Sequence, residues 1–113
     1  MIDEPTEEEI YQVKIVRDAR TRVAIIESWS KDGKSHREGG PASVVRDTST
    51  GTVVKEHWIE NNTYHRDGGP AVILRKADTG RVYFSEWYRH GEKISPIRPS
   101  RPPPTRSNRE PTT

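Results

Sequence analysis

The side chains best suited to chemistry in this sequence are imidazoles and guanidinium groups that recur in one motif. His36-Arg37-Glu38-Gly39-Gly40-Pro41-Ala42 returns 29 residues later as His65-Arg66-Asp67-Gly68-Gly69-Pro70-Ala71, and two more imidazoles stand at His57 and His90. A zinc site needs three or four convergent ligands, and the chain has no Cys and no pair of His four residues apart. We expect His36 and His65 to be structural, each donating a hydrogen bond to a carbonyl or carboxylate that holds a corner. A pH-sensitive or ligand contact is the alternative, and no metal or cofactor is expected.

Arginines recur at the same interval. Arg37 and Arg66 precede acids with which they could pair, while Arg17, Arg46 and Arg75 could form a ladder across a sheet. Like charges on adjacent strands repel unless acids lie between them, and Glu27 and Glu56 are candidates for that role. A paired, solvated face is the first interpretation. The second is a phosphate-binding stripe, because regularly spaced arginines beside aromatic residues can hold a nucleic-acid backbone.

The sequence offers little for catalysis. It has no Gly-x-Ser-x-Gly elbow, phosphate loop or His-Glu-x-x-His helix. Glu27 and Glu56 occupy equivalent positions of a repeat, which reflects architecture more often than an acid and base pair. We therefore expect a protein that is not an enzyme.

The same interval organises the whole chain. Trp29, Trp58 and Trp87 are each 29 residues apart, and a fixed period between about 20 and 50 residues is typical of a repeat architecture. Each unit reads as strand, turn, strand, turn, with β-branched runs before the turn and alternating apolar residues after it. The prediction is an all-β fold: an antiparallel meander of about six strands, built from three 29-residue hairpin repeats. The three Trp should lie along one edge of a shared apolar face and form the core.

Glycines predict where the chain reverses. Gly51 and Gly80 end the first turn of their units, and Gly33, Asn62 and Gly91 lie where a second turn needs a left-handed conformation. The first unit has Arg22 in place of the first-turn glycine, so we expect that turn to be different or looser.

Composition limits the protein to one small domain. The 113 residues are 29% hydrophobic and 32% charged, which supplies only a thin core. We expect an acidic N-terminal extension over residues 1–10, a β-repeat domain over 11–95 and a flexible Pro- and Arg-rich tail over 96–113. The lack of Cys, of a signal-like segment and of a membrane-length apolar run predicts a cytoplasmic protein that does not enter a membrane.

The tail contains Arg98 and Arg101 within a Pro-x-x-Pro-x-Arg spacing that SH3-like grooves recognise. Such spacing also arises by chance in Pro- and Arg-rich segments. The tail is therefore either a solvated extension or a partner-binding segment.

The order of Trp, turn, His-Arg-acid-Gly-Gly-Pro-Ala, strand, Thr-Gly and strand resembles short tandem repeats of bacteriophage, bacterial and large DNA virus proteins. Those repeats are distantly similar to the MORN family of β-hairpin repeats, and the resemblance covers about residues 13 to 94. It implies a small β-repeat protein, often from a mobile element, with no catalytic residues to carry over. The expected function is a non-catalytic protein-binding module that masks a partner's surface, with nucleic-acid binding as the alternative. The Trp residues, the His-Arg corners, Arg46, Arg75, Arg98 and Arg101 are its candidate binding residues. The partner and the oligomeric state stay open.

Overall fold

The structure is a computed structural model, described here for residues 5–96, and in that range every regular element is a β-strand. The strands are β1 (Gln12–Arg17), β2 (Ala24–Lys31), β3 (Lys34–Ser35), β4 (Ser43–Arg46), β5 (Val53–His57), β6 (Ile59–Glu60), β7 (Thr63–Tyr64), β8 (Val72–Arg75), β9 (Val82–Arg89) and β10 (Glu92–Ile94). One sheet runs in the order β1-β2-β4-β5-β8-β9-β10, with β3 on β2, and β6 pairs with β7 in a small second sheet. All pairings are antiparallel. The all-β meander is confirmed.

Three long hairpins account for the six predicted strands: β1 with β2, β4 with β5, and β8 with β9. Each ladder shifts register just before its arginine, at Arg17, Arg46 and Arg75. The same irregularity at the same place in each hairpin fits the 29-residue interval. The four remaining strands, β3, β6, β7 and β10, have two or three residues each and lie at the second turns, where the sequence predicted only a reversal.

The first turns share one geometry, which contradicts the expectation of a looser turn at Arg22. Arg22 has a φ of +68°, close to +81° at Gly51 and +79° at Gly80. Its N–H donates to the carbonyl of Asp18 at 2.8 Å, as that of Gly51 donates to Asp47 at 3.0 Å. The backbone hydrogen bonds of the turn therefore hold Arg22 in a left-handed conformation that a side chain adopts only at a cost.

The second turns behave as predicted. Gly33, Asn62 and Gly91 have φ values of +77°, +67° and +84°. The turns also stack on one another: Asn62 N–H donates to the carbonyl of Ser35, and Gly91 N–H donates to that of Tyr64. Each unit is thus fixed to the next at its turn as well as along its strands.

The core differs from the prediction. The buried apolar side chains of the described residues are Ala42, Val44, Ala71, Val72 and Ile73. Trp29, Trp58 and Trp87 are only half-buried. A single sheet has no opposing layer thick enough to enclose three indoles. The buried residues are instead β-branched residues of the central strands β4 and β8 and the alanine just before each of these strands.

The part of the chain that the structure describes contains no helix long and apolar enough to cross a membrane.

Candidate binding site at the corners and the sheet end

Each His-Arg corner folds back so that its arginine covers the tryptophan of the same unit. The Arg37 guanidinium carbon lies 3.7 Å from the centre of the Trp29 ring, and that of Arg66 lies 3.7 Å from the centre of Trp58. A guanidinium over an indole face gains a cation–π interaction as well as packing. The half-buried Trp rings are therefore covered by charged planes rather than by apolar side chains.

The second glycine of each corner makes room for this stack. A Cβ on Gly40 would lie 2.7 Å from Arg37 Cζ and Nε, and one on Gly69 would lie 2.7 Å from Arg66 Cζ. The guanidinium also donates to the corner's own backbone, at 3.3 Å from Arg37 to the carbonyl of Pro41. We call this arrangement the clamp: indole, guanidinium, second glycine and proline carbonyl, at Trp29 and again at Trp58.

The histidines hold the clamps in place, and each does so by accepting a backbone hydrogen bond. Asn61 N–H donates to His36 Nδ1 at 3.0 Å, and His90 N–H donates to His65 Nδ1 at 2.9 Å. The Nε2 atoms face the next acid of the corner, at 3.7 Å from Glu38 and 3.6 Å from Asp67. Both imidazoles are buried, and each ties its corner to the second turn of the following unit. These contacts fit a structural role at the corner: the Nδ1 atoms accept from the backbone, and the Nε2 atoms face a carboxylate, one of the two partners expected for them.

Two of the three ladder arginines are neutralised within the sheet, whereas the exposed Arg17 donates to the carbonyl of Arg22 and has no ion pair with a described acid. Arg46 Nη2 lies 3.2 Å from a Glu27 carboxylate oxygen, and Arg75 Nη2 lies 3.0 Å from one of Glu56. The sequence predicted these ion pairs but not the contribution of the indole. Trp29 Nε1 donates to a Glu27 carboxylate oxygen at 2.7 Å. That bond, followed by the Arg46 guanidinium, lowers the pKa of the Glu27 carboxyl.

Arg37 and Arg66 do not pair with the adjacent acids, as the sequence suggested they could. Arg37 lies 3.8 Å from Glu27 in the neighbouring strand, while Glu38 lies beside His36. The clamp turns each guanidinium inward over the sheet, and the following acid faces the imidazole.

The clamp at Trp29 has an additional aromatic neighbour. Tyr11 lies edge-on to Trp29, with ring centres 5.6 Å apart, and stacks on His36 at 6.0 Å. Tyr11 stands one period before Gly40. One period before Arg37 the chain has Glu8, so this position has no corner arginine. An aromatic ring thus packs at the start of the sheet.

The last unit has no clamp within residues 5–96. One period after His65 and Arg66 the chain has Ile94 and Ser95, and no described guanidinium lies over Trp87. A shallow surface cavity of about 230 Å³ opens here, lined by Trp87, Ile94, Pro96 and the end of β9. At its rim Lys93 Nζ lies 2.9 Å from Glu86, whose pKa this contact lowers. The three equivalent Trp therefore lie in two closed sites and one open site.

No group of three His, Asp or Glu side chains in residues 5–96 is arranged to hold a metal ion. His57 contacts Tyr64, with ring centres 5.4 Å apart, and burial lowers its pKa. Arg98 and Arg101 lie outside the described residues.

Sequence reasoning missed the contact between each arginine and its tryptophan. The signal was present, because both arginines occur with a second glycine three residues on and a tryptophan eight residues before. Only the folded corner shows that the glycine is needed for space next to the guanidinium rather than for backbone conformation.

No protein-family model, curated protein or solved structure matches this chain.

Proposed function

We propose that this chain is a non-catalytic protein-binding module that covers part of the surface of a partner protein. Of the two ends of the sheet, the one that carries the proposal is the open end at β9, where the corner arginine is missing. In the described residues, one side of β9 pairs with β8, from Val82 opposite Arg75 to Glu86 opposite Val72. The other side pairs only with β10, and only at Trp87, Tyr88 and Arg89. Within residues 5–96, the stretch from Val82 to Glu86 therefore has a free edge on that side.

Large apolar side chains accompany the free edge. Tyr83 is 60% exposed, and Phe84, which lines the cavity at Trp87, is 42% exposed. Soluble β proteins usually protect such an edge with charges, prolines or a covering segment. A free edge beside exposed aromatic residues is instead suited to taking up an extended segment of another protein, with affinity from backbone hydrogen bonds and specificity from side-chain pockets.

The charge distribution supports a protein partner over nucleic acid. Binding to a phosphate backbone requires free positive charge, and Arg46 and Arg75 already contact Glu27 and Glu56. Arg37 and Arg66 are stacked inside the clamps. Of the predicted ladder only Arg17 is without an acid partner in the described residues, and a single guanidinium does not form a stripe.

Site-specific crosslinking tests this function. A photoreactive phenylalanine analogue replaces Phe84 at the open end, and in a control it replaces Thr48 in the exposed turn between β4 and β5. We expect one discrete protein adduct from position 84 and none from position 48, and the identified partner, once purified, should lose affinity for Phe84→Ser. Adducts to nucleic acid, or equal adducts from both positions, would contradict the proposal.

A salt series on mixed DNA and RNA tests the alternative. Nucleic-acid binding through the arginines predicts an affinity that falls steeply with salt. The present proposal predicts no measurable binding near physiological salt.

A further inference from the structure

In two of the three units, the strand that ends near the tryptophan is paired with the first strand of the next unit, and the tryptophan is covered by a corner arginine. Next to Trp58, strand β8 pairs with β5 in the register Lys55–Leu74, Glu56–Ile73 and His57–Val72. The residues just before β8 form the corner, whose Arg66 covers Trp58. Strand β4 and Arg37 do the same beside β2 and Trp29.

The end of the sheet at β9 has the strand and the tryptophan of this arrangement, without the paired strand and the arginine in the described residues. One period after Lys55, Glu56 and His57 stand Phe84, Ser85 and Glu86, and these residues have no strand on that side within residues 5–96. One period after Trp58 stands Trp87, which lines a shallow cavity and has no described guanidinium over its ring. Trp87 and the β9 edge therefore stand in the same relation as Trp58 and the edge of β5 that pairs with β8.

The sequence that follows is poorly suited to supply the missing strand. One period after Ile73, Leu74 and Arg75 the chain has Pro102, Pro103 and Pro104. Proline has no N–H to donate to a ladder, and Ser95 replaces the corner arginine. Another polypeptide is better able to provide both.

We propose that β9 and Trp87 bind an extended segment of a partner protein that presents an arginine, then a glycine pair, then an apolar strand. The strand adds to the Val82–Glu86 edge, and the guanidinium stacks on Trp87 as Arg66 stacks on Trp58. This inference rests on the proposed protein-binding function and specifies the chemistry of its partner.

The contacts in the closed sites say which features of the segment are recognised. The arginine must be followed three residues later by glycine, because a Cβ there would displace the guanidinium, as at Gly69. An arginine at the end of the strand should matter little. Its acceptor Glu56 is replaced at the open end by Ser85, which cannot form an ion pair.

A peptide with the sequence of residues 65–75 is therefore a direct probe. It is titrated into the full-length protein while the indole and amide NMR signals are recorded. We expect saturable binding that shifts the signals of Trp87 and of Phe84, Ser85 and Glu86. Peptides carrying Arg66→Ala or Gly69→Ala should bind at least about tenfold more weakly, since each removes the stacked guanidinium. A peptide carrying Arg75→Gln should bind like the parent.

A Trp87→Ala protein, shown by circular dichroism to be folded, should also bind the parent peptide at least about tenfold more weakly. No saturable binding up to millimolar peptide would overturn the inference, as would equal affinity of the Arg66→Ala peptide or shifts centred on Trp58 or β1. Because the peptide variants do not alter the protein, their outcome does not depend on its folding. A partner adduct at position 84 together with failure of the peptide would reject this chemistry and leave the protein-binding function standing.

Discussion

The two clamps and the open end of the sheet use the same strand and the same tryptophan, and they differ in what lies on the indole. At Trp29 and Trp58 a guanidinium lies 3.7 Å from the ring centre, held by a second glycine and a proline carbonyl. At Trp87 the described chain has Ile94 and Ser95 at the corner positions and an open cavity.

The difference shows which part of the repeat is self-sufficient. The strands and turns of the last unit form as in the others, with the same register shift before Arg75 and a left-handed glycine at Gly91. The hairpin therefore does not need the clamp of its own unit. The corner instead connects one unit to the next, through the hydrogen bonds of His36 to Asn61 and of His65 to His90.

The largest difference should appear on removing the indoles. Trp58→Ala should lower the free energy of unfolding by about 3 kcal/mol, because it removes both a half-buried ring and the surface on which the Arg66 guanidinium stacks. Trp87→Ala should cost about 1 kcal/mol, since no described guanidinium depends on that ring. Urea denaturation followed by circular dichroism measures both. Equal losses would mean that the clamp contributes nothing beyond the indole.

Removing a corner imidazole should come next. His65→Ala removes a buried imidazole and leaves the His90 N–H without its acceptor at a part-buried contact, which should cost about 2 kcal/mol. His90→Asn is the matched control, because Asn61 holds the equivalent position at the other corner and the bond uses only the backbone N–H. That control should retain nearly full stability in the same denaturation experiment. A large loss in His90→Asn would show that its side chain, not its N–H, matters.

The space beside the guanidinium gives a smaller, more specific effect. Gly69→Ala should cost about 1–2 kcal/mol, because the side chain of Arg66 can swing away and the loss is limited to the stack and its hydrogen bond. Arg66→Ala should cost a similar amount, and the double variant should cost little more than either one. Additive losses in this double-mutant cycle would contradict a shared origin.

The smallest effect concerns acid. The Trp29 indole and Arg46 hold the pKa of Glu27 below its ordinary value of 4.5, so the unfolded state takes up a proton at higher pH than the folded state. The stability from this contact is present above pH 4.5 and is lost as the pH falls through the folded pKa. Glu27→Gln should therefore flatten the decline in melting temperature with falling pH over that range. An unchanged slope would contradict the role assigned to Glu27.

The fold was largely readable from sequence because its signals are local. The 29-residue interval and the alternation along each strand placed the three hairpins, and Gly51 and Gly80 placed their turns. The turn at Arg22 was mispredicted because the backbone hydrogen bonds of the turn outweighed the conformational preference of one residue.

The site was less predictable, because its contacts depend on how the corner folds over the sheet. Sequence indicated that Arg46 and Arg75 need acids between them, and the Glu27 and Glu56 contacts follow that rule. It placed the Trp residues in an apolar core, since pattern alone cannot distinguish a ring covered by aliphatic groups from one covered by a guanidinium. The sequence does show that the third corner is missing and that the end strands are potential edges, but which side chains stand exposed there depends on the folded sheet.

The contrast between two closed indoles and one open indole is tested most directly by NMR of the free full-length protein. Ring currents should shift the side-chain protons of Arg37 and Arg66 upfield, with nuclear Overhauser effects to the Trp29 and Trp58 rings, while the Trp87 ring shows no contact to any arginine. An arginine contact at Trp87 equal to the other two, or none at Trp29 and Trp58, would contradict the account.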